Sequence, residues 1–152
     1  MNEPAIILVD HGSRRPESNE QLLAVATAYQ RHSGVAIVEP AHMELAEPSI
    51  AQAFARCVER GAREVIVFPY FLAPGRHWTE DIPRLAAEAA AGFPGIRHTV
   101  TPPLGLHPLM LQVIDARIAE AIAWEGEAPA EPEVDASPKS RQEPRPPAIG
   151  KS

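Results

Sequence analysis

A single cysteine, Cys57, stands in the whole chain. No intrachain disulfide can form, and a lone thiol fits a reducing compartment, so a cytoplasmic location is expected. Lysine is equally scarce: residues 1–124 contain none, and the basic side chains there are arginines. With a formal net charge of −6 and no basic stripe, the sequence argues against nucleic acid as a partner. Long apolar runs are missing too. The opening MNEPAIILVD has only about five apolar residues in succession, against the ~20 of a membrane span, and it lacks the basic start of a signal peptide. No membrane partner is expected.

What is present reads as one ordinary domain. Apolar residues make up 45 % and charged residues 22 % of the 152 positions, enough for a real core. Composition shifts sharply after Trp124. The segment EGEAPAEPEVDASPKSRQEPRPPAIGKS is rich in Pro, Glu and Ala. It cannot bury enough surface to offset its ordering entropy. The expectation is a folded domain over 1–124 and a disordered tail over 125–152.

Before the tail, strand and helix patterns alternate. Residues 5–9 (AIILV), 35–38 (VAIV), 64–68 (EVIVF) and 96–100 (IRHTV) read as strands. Between them, Leu22, Val25, Ala26 and Tyr29 recur at helical spacing up to Gly34. Pro48 opens a second helix carrying Ile50, Phe54, Cys57 and Val58, stopped by Gly61. Ile82, Leu85, Ala86 and Ala89 mark a third. After Pro108, Met110, Val113, Ile114, Ile118 and Ala121 mark a fourth, with that face turned to the core. The order βαβαβαβα implies an α/β fold: a flavodoxin-like, doubly wound, four-stranded parallel sheet of strand order 2-1-3-4. In such sheets ligands bind outside the carboxyl ends of the strands, where the winding reverses. That places a site on the loops after strands 1 and 3, Asp10-His11-Gly12-Ser13-Arg14-Arg15 and the segment from Pro69 to His77.

Each loop brings a histidine beside or near a glycine, His11 before Gly12 and His77 just after Gly75 and Arg76. Two imidazoles converging on one edge suit a borderline divalent ion. They are too few for a closed structural zinc site, which takes four ligands, so the site is open and fit to release its metal. Glu44, after strand 2, reads either as a proton-accepting carboxylate or as a solvated residue near the second helix. Glu80 and Asp81 sit where a helix dipole favours negative charge. His42 and His107 fall near the same edge, as a possible extra ligand and a cap; Cys57 reads as core. Arg14, Arg15 and Arg76 beside the histidines fit an anionic ligand, which arginine binds in bidentate fashion. Gly12, Ser13 and Gly75 complete the substrate-binding set.

Four segments carry a resemblance: DHGSR (10–14), MELAEPSI (43–50), FLAPGRHWTEDIP (71–83) and PLGLHPLM (103–110). On these the chain resembles the small sirohydrochlorin chelatases of the CbiX/SirB type. The resemblance implies a class II chelatase half-domain that pairs as a homodimer across a cleft. It implies insertion of cobalt or ferrous iron into sirohydrochlorin, an anionic tetrapyrrole, in cobalamin or sirohaem biosynthesis. The metal-binding histidines of the family map onto His11 and His77. The metal (Co2+, Fe2+ or Ni2+) is the substrate, and no organic cofactor is expected. His42 departs from the family, which more usually has an aromatic or aliphatic residue there.

The macrocycle would dock with the three arginines and with backbone N–H groups of the Gly12-Ser13 turn, and Glu44 or a water would take the pyrrole protons. Two rivals use the same loops. A metal carrier would bind Co2+ or Ni2+ without metallating a tetrapyrrole. A phosphohistidine enzyme would need an arginine just before the histidine, where this chain has Asp10.

Overall fold

Strand β1 (Ala5–Asp10) is apolar along most of its length because both faces of the sheet are covered there: Ala5, Ile7 and Val9 are fully buried on one side and Leu8 on the other. A computed structural model describes residues 3–73 and 75–123, apart from the His77 side chain. Trp124 and the tail expected over 125–152 lie outside the described residues. After β1 come α1 (Pro16–Ser33), β2 (Val38–His42), α2 (Ile50–Glu59), β3 (Glu64–Pro69), a π-helical turn (His77–Asp81), α3 (Ile82–Ala91), β4 (Arg97–Val100) and α4 (Pro108–Ala123). The four strands pair in parallel in the order β2-β1-β3-β4, as the alternation of patterns predicts.

The helices divide unequally over the two faces. Phe54 and Cys57 of α2 and Ile82, Ala86 and Ala89 of α3 pack on Ala5, Ile7, Val9, Val65 and Val67. On the opposite face, Leu22 and Ala26 of α1 meet Leu8 and Val38. Gly34 ends α1 in the left-handed conformation, at φ 73°, where a side chain would be strained. Cys57 is fully buried, as its apolar setting predicts. Burial pushes its thiol pKa up to about 12; nearby Glu39 adds to the shift and Arg60 opposes it.

Three sequence expectations are corrected. The second strand is not 35–38 but Val38–His42. Val35 and Ile37 pack against the core as the chain approaches the sheet, and Ile37 contributes only its carbonyl, to the Ile6 N–H at 2.9 Å. Pro40 is tolerated because β2 is an edge strand. Helix α2 is opened not by Pro48 but by Ser49. Its hydroxyl accepts from the Gln52 N–H, and the Gln52 side chain accepts from the Ser49 N–H. Finally, α4 does not turn a face to the core: none of its residues is buried, and Val113, Ile114 and Ile118 are about half exposed. Helical periodicity reports that a face seeks burial, not what will bury it.

Candidate functional site

The edge at the carboxyl ends of β1, β2 and β3 is built in two layers, the lower one holding a buried imidazole. Beneath lies an Asp10–His42 pair, Oδ1 to Nδ1 at 2.5 Å, with His42 only 3 % exposed. The two residues are register partners on adjacent strands. The same Asp10 oxygen accepts the Gly12 N–H at 3.0 Å, so one carboxylate fixes both the start of the turn and a buried imidazole.

Above it the backbone of residues 43 and 44 continues the β1–β2 ladder: Met43 N–H donates to Asp10 O at 2.9 Å and Glu44 N–H to His11 O at 3.1 Å. This brings His11 Nε2 to 3.0 Å from Glu44 Oε1, both side chains about half exposed. His11 Nδ1 faces the Gly12 carbonyl at 3.4 Å. Gly12 is required twice over. It sits at φ 89°, and a Cβ there would lie 1.9 Å from the Glu44 carbonyl oxygen.

Ser13 is clasped by Asn19, whose side chain accepts the Ser13 N–H at 3.0 Å and donates to its carbonyl at 2.8 Å. The expected role of the Gly12 and Ser13 N–H groups as donors to a ligand is therefore corrected: both are already committed within the chain. Arg14 and Arg15 are exposed and make no ion pair among the described residues. Arg76 is exposed and reaches Glu80 at 3.6 Å.

Across the edge, Tyr70 N–H donates to Val9 O at 2.6 Å, extending the β1–β3 pairing past Pro69. The loop then runs to Gly75, whose carbonyl accepts the Trp78 and Thr79 N–H groups and the Thr79 hydroxyl. That carbonyl seats the π-helical turn, and His77 is the turn's first residue. Single π turns recur at functional sites. Trp78 Nε1 donates to Thr101 O at 3.0 Å, tying the turn to the end of β4.

Among the described residues no three His, Cys, Asp or Glu side chains group closely enough to hold a metal ion. His107 takes the bland role open to it, its Nδ1 accepting the Leu109 N–H at the start of α4. Sequence reasoning missed the Asp10–His42 pair; with β2 placed at its true residues, the register alone would have revealed it. It missed the Asn19 clasp as well, which no local pattern announces.

The histidine–carboxylate pair joins the segments after β1 and β2, on the sheet edge where folds of the open α/β class bind ligands. Residues 5–121 match the family model described as CbiX, and the chain belongs to that family. It is 54 % identical over 124 residues to the chloroplastic sirohydrochlorin ferrochelatase of Arabidopsis thaliana, covering 81 % of this chain and 55 % of the relative. It superposes on a CbiX protein from Marinobacter aquaeolei VT8 with TM-score 0.69 and 29 % identity, covering 79 % of this chain and 98 % of that one. It superposes on the sirohydrochlorin chelatase SirB from Bacillus subtilis subspecies spizizenii in complex with cobalt with TM-score 0.73 and 30 % identity. That match covers 78 % of this chain and 50 % of the other. The chain spans about half the length of the curated relatives it matches.

Proposed function

We propose that this protein inserts Co2+ or Fe2+ into sirohydrochlorin, with His11 and His77 as the metal-binding pair. The observation that carries the reading is the His11–Glu44 contact, set on the switch-point edge of a chain whose relatives are sirohydrochlorin chelatases. His11 Nδ1 faces the Gly12 carbonyl and Nε2 faces Glu44, so an incoming ion would take Nε2 in exchange for the Glu44 contact. When the metal takes that nitrogen, Glu44 loses its partner and becomes a carboxylate beside the reacting centre. It is then placed to accept a pyrrole proton as the metal enters the macrocycle. Arg14, Arg15 and Arg76 meet the substrate carboxylates, while Gly12, Ser13 and Gly75 contribute shape.

The same imidazole pair suits Ni2+, and no organic cofactor has a role in the reaction. A homodimer opposing two such edges across a cleft is part of the proposal, as the resemblance to the small chelatases implies. The lone, buried Cys57 fits a cytoplasmic setting.

The test follows the absorbance change as sirohydrochlorin takes up each metal in turn. His11→Ala and His77→Ala are each expected to slow insertion by roughly 100-fold or more, the scale set by loss of a positioned reacting group, with unchanged circular dichroism. Glu44→Gln should slow insertion while metal binding, followed by titration calorimetry, persists. Insertion at the wild-type rate by both histidine variants would overturn the assignment.

A further inference from the structure

Among the described residues, Leu45 is the one that is not glycine and yet has a positive φ, 68°. The Ala46 N–H donates to the Glu44 carbonyl at 2.9 Å, so three residues close a turn with Leu45 at its centre. A γ-turn with positive φ in the middle is the rare and strained form. Glycine or asparagine would take the position at little cost, whereas a bulky side chain there is an outlier.

Packing does not offset that strain. Leu45 is 52 % exposed and belongs to neither core cluster, although Met43, two residues earlier, packs against one. A leucine here carries two costs, a forced backbone and apolar surface left in water. Residues held in such conformations collect at ligand clamps. The turn cannot relax, because its loop is tied at both ends. The Glu44 N–H donates to the His11 carbonyl at 3.1 Å, and Gly12 closes on the Glu44 carbonyl from the other side. Further along, the Pro48 carbonyl accepts the His42 N–H at 2.8 Å and returns the segment 43–48 to the end of β2. Leu45 is therefore fixed next in sequence to the carboxylate that meets His11 Nε2 at 3.0 Å. The exposed leucines after β3 and β4, Leu72 and Leu106, line the groove beside α4 instead.

We propose that Leu45 is a substrate-contacting residue, its side chain lying against the flat face of the macrocycle and seating the ring at His11 and Glu44. The inference rests on the chelatase reading and deepens it. The substrate named there has two chemistries. Its rim carries carboxylates, which suit Arg14, Arg15 and Arg76. Its ring presents a broad apolar face, and no other residue assigned to the site has an aliphatic side chain to set against it. About half of the Leu45 side chain is still open to be covered. Covering that half corresponds to about a 3- to 10-fold gain in binding.

The experiment titrates metal-free sirohydrochlorin into the full chain, follows its absorbance, and then measures Co2+ insertion. Leu45→Gly and Leu45→Asn both relieve the backbone and remove the apolar contact; Leu45→Met keeps the contact. The first two are expected to melt about 2–4 °C above the wild type. They should bind metal-free sirohydrochlorin about 3- to 10-fold more weakly and raise KM by the same factor with kcat near its original value, the mark of a contact made equally before and during reaction. Leu45→Met should bind as the wild type does. A lower melting temperature for Leu45→Gly would make the leucine a packing residue and overturn the proposal. Weaker Co2+ binding by Leu45→Gly, measured by calorimetry without tetrapyrrole, would place its effect on His11 and overturn it too. If the wild type inserts Co2+ and Leu45→Gly and Leu45→Asn bind sirohydrochlorin equally well, the contact fails and the chelatase reading stands. If the wild type binds no sirohydrochlorin, both fall together.

Discussion

On one face of the sheet α2 and α3 shut Phe54, Cys57 and Ile82 away completely. On the other, α1 alone buries Leu8, Leu22, Ala26 and Val38, while Ile6, Phe68 and Tyr70 stay partly open. The strands crossing between the two faces are the same, so the difference comes from the helices. A strand pattern states that both of its faces want cover. Whether they receive it depends on where each crossover helix returns, and α4 does not return. The closed face therefore carries the stability of the single chain, and the open one holds a surface still to be matched.

The largest expected effect breaks this comparison most directly. Phe54→Ala on the closed face should cost about 3–5 kcal/mol, transfer loss plus cavity, in denaturant unfolding. Phe68→Ala on the open face should cost roughly 1 kcal/mol in dilute protein, since less of that side chain leaves water, and more at high concentration if a second copy covers it. Equal costs at low concentration would abolish the distinction.

A second test concerns pH. Burial holds the Cys57 thiol protonated up to about 12, whereas an unfolded thiol ionises near 8.5. Between those values the unfolded chain binds fewer protons than the folded one, so stability falls as pH rises, by at most about 1.4 kcal/mol per pH unit. Thermal melts of wild type and Cys57→Ala through that window should diverge in slope; parallel curves would show that the thiol is not sealed.

The smallest effect sharpens the contrast between the helices. Ser49→Ala removes half of the capping box of α2 and should cost about 1 kcal/mol. Arg15→Ala at the start of α1, where no side chain caps, should cost nothing measurable in the same melt.

Much of this architecture was legible in the sequence. The runs at 5–9 and 64–68 are apolar because the central strands are buried on both faces, and their order singled out the edge after β1 and β3 before any motif did. The edge strand was misplaced because VEPAH is half polar and contains Pro40, features an edge tolerates and a pattern search rejects. That slip hid the Asp10–His42 pair, since cross-strand partners follow only from a correct register. The exposed state of α4 was not legible either: its periodicity is that of a core helix, and only the stiff connection at Pro102 and Pro103 sets it apart. The His11–Glu44 contact was half legible, both residues being placed on the edge by topology but joined only by the extra rungs at Met43 and Glu44.

Those rungs have a consequence for how a ligand is captured. His11 lies beyond the strand by position, yet its carbonyl is held by the Glu44 N–H just past β2, and Gly12 fits against the Glu44 carbonyl with no room for a methyl group. Ordering a free loop residue costs about 1–2 kcal/mol of backbone entropy. At His11 folding has already met that cost, so under the proposed function an arriving ion would meet an imidazole on a fixed mount.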